Sequence, residues 1–154
     1  MQKTAFAKAN DDIYRSQKSF AENNIRPEHR IGEGIFTTLS ANRYSAYQSA
    51  KMAAHVDSGD TDAGMTSMCV FREGDYDGAF LTFPRYEVAI DAPDNSVVIA
   101  DSLEVHGVTE IKGNGERFSC VAYMDNRLAT IGSAGKSEKL IGKYAAKTSG
   151  NLDD

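Results

Sequence analysis

The segment AHVDSGD at residues 54–60 decides the expected fold, and it is followed downstream by LEVHG at residues 103–107. On an extended segment His55 and Asp57 point to the same side, because strand side chains alternate with a period of two residues. His106 adds a second imidazole, and the chain has three histidines in all. Imidazole and carboxylate are ligands of transition metals. We therefore predict a metal site that takes His55, Asp57 and His106 from strand segments brought together across a barrel.

Two imidazoles and one carboxylate on one face of a metal leave three coordination positions open. This suits an Fe(II) ion that must bind a chelating cosubstrate and then O2. Arg117 stands downstream in ERFSCVAY at residues 116–123, an apolar strand pattern with a single cation. A buried guanidinium is costly when unpaired, and its planar donors match a carboxylate. Arg117 is therefore predicted to bind a carboxylate. The third histidine, His29, lies in a polar connection and is expected to be structural or solvent-facing.

The pattern around these residues predicts a mainly β protein with flanking helices. From residue 35 to residue 123 the strand-like segments are short, and turn-like sequences such as DYDG at 75–78 and KGNG at 112–115 separate them. This is typical of a jelly roll or barrel. Residues 3 to about 23 favour one helix packed outside the sheet, and Ser137 is a plausible cap for a closing helix. We expect one domain over residues 1–154, divided as an N-terminal helical support over 1–30, a β core over 31–125 and a C-terminal helix over 133–150.

Composition and charge set the remaining limits. A chain of 154 residues with 41% hydrophobic content suits one domain. It shows neither a membrane-spanning run nor a signal peptide, so we expect an intracellular protein, cytoplasmic or nuclear. In a reducing compartment Cys69 and Cys120 are expected to be buried thiols. The net charge is −5, yet residues 52–110 hold two basic and twelve acidic side chains, and both flanks are mildly basic. The flanks could bind phosphates weakly or be ordinary solvated faces.

The core resembles the TET/JBP branch of the Fe(II)/2-oxoglutarate oxygenases, enzymes that modify nucleic-acid bases. The matching stretch runs from residue 31 to residue 123 and includes GIFTTLSAN at 34–42, AHVDSGD at 54–60 and GDYDGAFLTFPRY at 74–86. His106-Gly107 and Arg117-Phe118-Ser119 complete the match.

This resemblance implies a double-stranded β-helix, or jelly roll, with iron on His55, Asp57 and His106. Arg117 would grip the distal carboxylate of 2-oxoglutarate, assisted by Ser119. The implied reaction uses Fe(II), 2-oxoglutarate and O2, with ascorbate as reductant in vitro. Because Asp57 is retained, we expect hydroxylation rather than halogenation.

The resemblance makes the 5-methyl group of cytosine or thymine in DNA the expected target, and the base must then leave the stack. Residues that could hold such a base or read its edge are Asn42, Tyr44, Tyr47, Asp60 and Tyr86. Each has an alternative role as a packing or turn residue. Arg72 and Arg85 could meet phosphate or lie on surface strands.

Two departures from the family pattern bear on the substrate. Ala79 stands where a second glycine is common, and Val108 follows His-Gly where the nucleobase branch often has asparagine. Two other functions therefore stay open. One is a protein or peptide hydroxylase of prolyl-hydroxylase type, with residues 57–66 as a substrate loop. The other is a non-catalytic barrel that binds a metal or ligand.

Overall fold

The computed structural model describes residues 2–31 and 34–130, which form two packed antiparallel sheets with helices on one outer face. The helices are α1 (Gln2–Ala9), α2 (Asp11–Asn24) and α3 (Asn126–Thr130), and 3-10 turns occupy Pro27–His29, Ala46–Gln48 and Pro84–Tyr86. The strands are β1 (Thr38–Ser45), β2 (Met52–His55), β3 (Thr66–Gly78), β4 (Leu81–Phe83), β5 (Val88–Ile90), β6 (Ser96–Ala100), β7 (His106–Val108) and β8 (Ile111–Tyr123).

The strand order is that of a jelly roll. The larger sheet runs β1-β8-β3-β6 and the smaller sheet β2-β7-β4-β5, so the chain passes from one sheet to the other at each connection between strands except that from β4 to β5. All the strand pairs in both sheets are antiparallel. Two four-stranded sheets built in this way enclose a space between their inner faces. The predicted double-stranded β-helix with flanking helices is confirmed.

The two sequences predicted as turns, residues 75–78 and 112–115, lie inside β3 and β8, so that prediction was wrong. They pair with each other, with Asp75 opposite Asn114 and Gly78 opposite Ile111. Gly113 lies inside β8 and does not interrupt it, whereas Gly78 is the last residue of β3. Gly113 has a φ of +116° and Gly78 a φ of +84°, and a Cβ on Gly78 would lie 2.0 Å from the Glu110 carbonyl oxygen. The glycine-rich signal at residues 112–115 therefore lies within a strand rather than at a chain reversal.

The N-terminal segment forms two helices where the sequence predicted one. Asn10 interrupts the helix and caps α2, because its side-chain oxygen accepts a hydrogen bond from the Ile13 amide at 3.0 Å. Phe6 of α1 and Tyr14 of α2 pack with Ile35, Phe36 and Ala122 in one buried cluster. Ala122 belongs to β8, so the helices cover the outer face of the larger sheet, as predicted.

Several other predictions can be compared with the described residues. The closing helix predicted over 133–150 lies outside the described residues, and the division of the chain into three parts stays a prediction.

Cys69 is buried and Cys120 half-buried, and they stand opposite each other on β3 and β8 as thiols. Within residues 2–31 and 34–130, none of the helices has the length and apolar character to cross a membrane.

A buried glutamine joins the helices to the sheet. Gln17 of α2 is fully buried, donates from Nε2 to the Ile35 carbonyl at 3.0 Å and accepts the Met65 amide on Oε1 at 2.9 Å. Gly64 makes room for it, since a Cβ there would lie 2.3 Å from the same Oε1. The side chain thus satisfies two backbone groups from two separate loops.

We expect Gln17→Met to lower the free energy of unfolding by about 2 to 4 kcal/mol, because a buried amide and a buried carbonyl both lose their partner. Urea denaturation monitored by circular dichroism measures this loss. Gln48→Met is the matched control at an exposed position and should stay within about 0.5 kcal/mol of wild type. Equal stability of the two variants would contradict the anchoring role of Gln17.

Candidate active site

His55, Asp57 and His106 converge at one end of the smaller sheet. His55 ends β2, His106 begins β7, and the two residues are partners in the antiparallel pair, with ring centroids 4.5 Å apart. Asp57 follows β2 and places Oδ1 3.3 Å from His55 Nε2 and Oδ2 3.6 Å from His106 Nε2. One ligand atom from each residue lies within 4.8 Å of the others. The three side chains can therefore bind a single metal ion.

Backbone carbonyls fix the orientation of both imidazoles. Nδ1 of His55 lies 2.9 Å from the Ala53 carbonyl oxygen, and Nδ1 of His106 lies 2.8 Å from that of Glu104. A carbonyl can only accept a hydrogen bond, so the proton is assigned to Nδ1 in both rings. Each Nε2 then offers its lone pair towards Asp57, as in a metal-binding histidine whose other nitrogen is held by the protein.

The triad opens into a cavity of about 440 Å³ between the two sheets. The larger sheet contributes the inward-facing residues of β1, β3, β6 and β8. The smaller sheet contributes residues from β2, β4 and β7, which are Met52, His55, Leu81, Phe83, His106 and Val108. The side chains from β8 alternate strictly, because every second residue of a strand faces the same side. The lining residues from β8 are Arg117, Ser119, Val121 and Tyr123.

Arg117 is a cation buried in this cavity without a carboxylate partner in the described part of the chain. Its side chain is almost fully enclosed, with 2% of the residue exposed. Nη2 donates to the Met68 sulfur at 3.5 Å and the guanidinium lies 5.5 Å from the centre of the Tyr44 ring. Among the described residues, Nε and Nη1 have no hydrogen-bond partner.

Burial lowers the pKa of Arg117, yet a guanidinium stays charged in proteins. The same burial raises the pKa of Tyr44 above its usual value, with the charge of Arg117 acting against it. Tyr44 is therefore neutral and cannot act as the counter-ion. Ser119 is also buried and lies two residues along the same face of β8. An unpaired planar cation beside a hydroxyl fits the carboxylate group of a small acidic molecule.

Asp60 is a second buried charged group at the cavity wall. Its Oδ2 accepts hydrogen bonds from the hydroxyl groups of Thr66, at 2.9 Å, and of Ser102. Burial, more than the neighbouring charges of Asp57 and Asp125, raises the pKa of Asp60. Asp125 also lines the cavity, and the hydrogen bonds that it accepts from Arg127 hold its own pKa below the usual value against the effect of burial.

The structure brings some of the predicted substrate residues to the cavity and leaves others outside it. Asn42, Tyr44 and Asp60 line the wall. Tyr47 and Tyr86 lie in 3-10 turns, are 74% and 57% exposed, and do not line the cavity, so the structure gives no support for a base-holding role.

The remaining predicted contacts also lie outside the cavity. Arg72 pairs with Asp91 at 2.6 Å and Arg85 with Glu104 at 2.8 Å. Neither arginine is among the lining residues. Arg72 lies on β3, in agreement with the surface-strand alternative, whereas Arg85 lies in the 3-10 turn Pro84–Tyr86.

Sequence reasoning missed two aromatic residues of the wall. Tyr123 lies six residues after Arg117 on β8, with the same parity as Ser119, so the alternation of the strand could have identified it. Phe83 lies with its ring centroid 6.2 Å from that of His106. It sits at the end of the three-residue strand β4, and no periodicity can be read from so short a segment.

Comparison with known proteins agrees with this geometry. Residues 5–126 match the Tet_JBP family, described as the oxygenase domain of the 2OGFeDO superfamily. The bifunctional helicase and thymine dioxygenase JBP2 of Trypanosoma brucei brucei is 32% identical over 103 residues, which are 65% of this chain and 9% of that protein. The thymine dioxygenase JBP1 of Leishmania braziliensis is 28% identical over 141 residues, 86% of this chain and 17% of that protein. The chain thus spans less than a fifth of the length of either relative.

Among solved structures, NgTET1 in complex with 5mC DNA superposes with a TM-score of 0.69. The match covers 92% of this chain and 55% of that one, at 13% sequence identity. At this identity the likeness supports the double-stranded β-helix and says nothing about the substrate.

We expect Arg117→Met to leave the protein at least as stable as wild type, and up to about 2 kcal/mol more stable, when no ligand is present, because an unpaired buried charge is removed. The same change should abolish the rise in melting temperature caused by 2-oxoglutarate with Mn(II). Differential scanning fluorimetry measures both effects. Arg43→Met on neighbouring β1 removes an exposed ion pair with Glu116 and should keep the ligand-dependent rise. A ligand-dependent rise that survives in Arg117→Met would show that this cation does not bind the carboxylate.

Proposed function

Because the chain belongs to the Tet_JBP family, the oxygenase domain of the 2OGFeDO superfamily, we propose that it hydroxylates the 5-methyl group of a pyrimidine base in DNA in an Fe(II)- and 2-oxoglutarate-dependent reaction. The single observation that carries this proposal is the presence of a three-ligand metal triad and an unpaired buried guanidinium in one cavity. A metal site alone would suit many functions. A metal site beside a buried carboxylate-binding cation suits a cosubstrate that bridges the two.

His55, Asp57 and His106 would hold Fe(II) through Nε2, a carboxylate oxygen and Nε2. Three protein ligands leave room for a bidentate cosubstrate and for O2. The chemistry that Fe(II) and 2-oxoglutarate supply when bound is O2-dependent hydroxylation of a C–H bond, coupled to oxidation of 2-oxoglutarate to succinate and CO2. Ascorbate would serve in vitro to keep the iron ferrous.

Arg117 and Ser119 would bind the distal carboxylate of 2-oxoglutarate. Among the described residues Nε and Nη1 have no hydrogen-bond partner, so both retain charged N–H donors for carboxylate oxygens. Met68 and Tyr44 hold the guanidinium in place, so its direction is set before the cosubstrate arrives. This preorganisation would fix the orientation of 2-oxoglutarate at the metal.

The opposite end of the cavity would take the base. Tyr123 offers an aromatic face there, and burial, together with the charges of Asp60 and Asp125, raises its pKa. Both hydroxyl bonds of Asp60 fall on Oδ2, so we assign Oδ1 to the base edge. Asn42 also lines the cavity, but it lies opposite Ser119 in the β1–β8 pairing and is therefore nearer to the carboxylate-binding end than Tyr123 is. A base read in this way must first leave its stack, at a cost of a few kcal/mol in duplex DNA.

Thymine is the preferred base in this proposal. The relatives with 28% and 32% identity are named thymine dioxygenases, whereas the structure with 5mC DNA is far more distant in sequence.

The described cavity wall carries four aspartates, Asp57, Asp60, Asp101 and Asp125. DNA binding by this segment alone is therefore expected to be weak and salt-sensitive.

The deciding experiment is nucleoside mass spectrometry after incubation with Fe(II), 2-oxoglutarate, O2 and ascorbate, on thymine-containing and on 5-methylcytosine-containing DNA. We expect hydroxymethyluracil to exceed hydroxymethylcytosine, and both to be absent with Asp57→Ala. That variant separates enzymatic oxidation from oxidation by free iron. Succinate release without either product would reject the DNA substrate and point to a protein or peptide hydroxylase.

We expect Tyr123→Ala to lower kcat/KM for DNA by roughly 5- to 150-fold, since stacking of one base on an aromatic side chain contributes about 1 to 3 kcal/mol. The Kd for 2-oxoglutarate should not change, because Arg117 lies at the other end of the cavity. Tyr47→Ala is the matched control on the exposed 3-10 turn and should leave kcat/KM unaltered. Steady-state kinetics and anaerobic titration with 2-oxoglutarate make the comparison, and a loss shared by both tyrosine variants would argue against stacking.

A further inference from the structure

The carboxylate of the triad is held differently from the two histidines. His55 and His106 are fixed by the β2–β7 pairing and by the carbonyls that their Nδ1 atoms contact. Asp57 lies beyond the end of β2, in the connection that leads to Thr66 at the start of β3. The sheet therefore does not determine where Asp57 lies.

Ser102 supplies contacts that the sheet does not make with the Asp57 segment. It lies between β6 and β7, four residues before His106, and is buried in the cavity wall. Its carbonyl accepts a hydrogen bond from the Asp57 amide at 3.0 Å. Its hydroxyl donates to Oδ2 of Asp60, three residues after Asp57. One residue on the segment that leads to His106 thus binds the Asp57 segment twice.

The contacts around Ser102 form a closed network. The Asp60 amide donates to the Asp57 carbonyl at 2.9 Å, which folds the segment into a turn. The Thr66 hydroxyl lies 2.9 Å from both Asp60 Oδ2 and Ser102 Oγ. A buried carboxylate that receives two hydroxyl bonds is a rigid anchor, because breaking either bond leaves a buried polar group unsatisfied. The anchor fixes the turn on which Asp57 is carried.

We propose that Ser102 is a positioning residue of the metal centre, and that its hydroxyl sets the distance between the Asp57 segment and the segment that carries His106. This inference rests on the proposed function, because it takes the triad to be a metal site. Groups that orient metal ligands commonly change metal affinity by about 10- to 100-fold when they are removed. The Ser102 hydroxyl acts on the carboxylate through Asp60 and does not touch the metal.

The test is Mn(II) binding, followed by the loss of the free-ion electron paramagnetic resonance signal, without 2-oxoglutarate or turnover. Ser102→Ala should weaken Mn(II) binding by about 10- to 100-fold, and Ser102→Thr, which keeps the hydroxyl, should restore wild-type affinity. Thr66→Val removes the other donor to Asp60 and leaves the Ser102 bond, so its effect should be smaller than that of Ser102→Ala. Ser58→Ala, on the same segment, is the matched control and should bind as wild type does.

The outcomes separate the two proposals. Wild type that fails to bind Mn(II) overturns the metal site and this inference with it. Wild type that binds, with Ser102→Ala binding equally well, overturns only the role of Ser102, as does an equal loss in Ser102→Ala and Ser102→Thr. If Ser102→Ala does not fold, as judged by thermal unfolding without metal, Ser102→Cys replaces it. A thiol is a weaker donor, so an affinity below that of Ser102→Thr supports the proposal and an equal affinity overturns it.

Discussion

The pairing of β3 with β8 is the constraint on which the site depends. Its register runs without interruption from Ser67 opposite Ala122 to Gly78 opposite Ile111. The register decides which residues face inward, because a slip of one residue would turn every side chain of a strand to the other face. Arg117 and Ser119 would then point away from the cavity, and Cys120 would point into it. The long pairing of β3 with β8 therefore determines which side chains line the cavity, as well as stabilising the larger sheet.

Burying Arg117 is a cost that the fold does not recover within the described residues. An isolated buried cation destabilises a protein unless it is paired and hydrogen-bonded. The guanidinium nevertheless sits in a defined pocket, against the Met68 sulfur and the Tyr44 ring. A local conflict of this kind, at a buried charge that lines a cavity, is the expected mark of a functional site. It is independent of the metal triad, and this independence is why the two features together argue for one cosubstrate.

Much of the site could be predicted because metal chemistry restricts residue type and spacing. The sequence shows this restriction directly in the His-X-Asp step, in His106 and in Arg117. The short strand-like segments with turn residues between them predicted the jelly roll. Other features depend on contacts that the sequence does not show. Glycines within β3 and β8 give the same local signal as turns, and Asn10 could break a helix or lie within one. Tyr47 and Tyr86 have aromatic rings that could stack on a base, but the tertiary structure places them outside the cavity.

Strand β8 also explains how one cavity can serve two molecules. Arg117 and Tyr123 are six residues apart on the same face, and a rise of about 3.3 Å per residue separates their backbones by roughly 20 Å. The carboxylate-binding end and the aromatic end are thus parts of one rigid element, and β7 across the cavity brings His106 to the space between the sheets. A change in substrate can then be made at Tyr123 or Asp125 without moving Arg117. This separation accounts for a site in which the cosubstrate end is fixed by an unpaired cation while the substrate end is built from adaptable polar and aromatic groups.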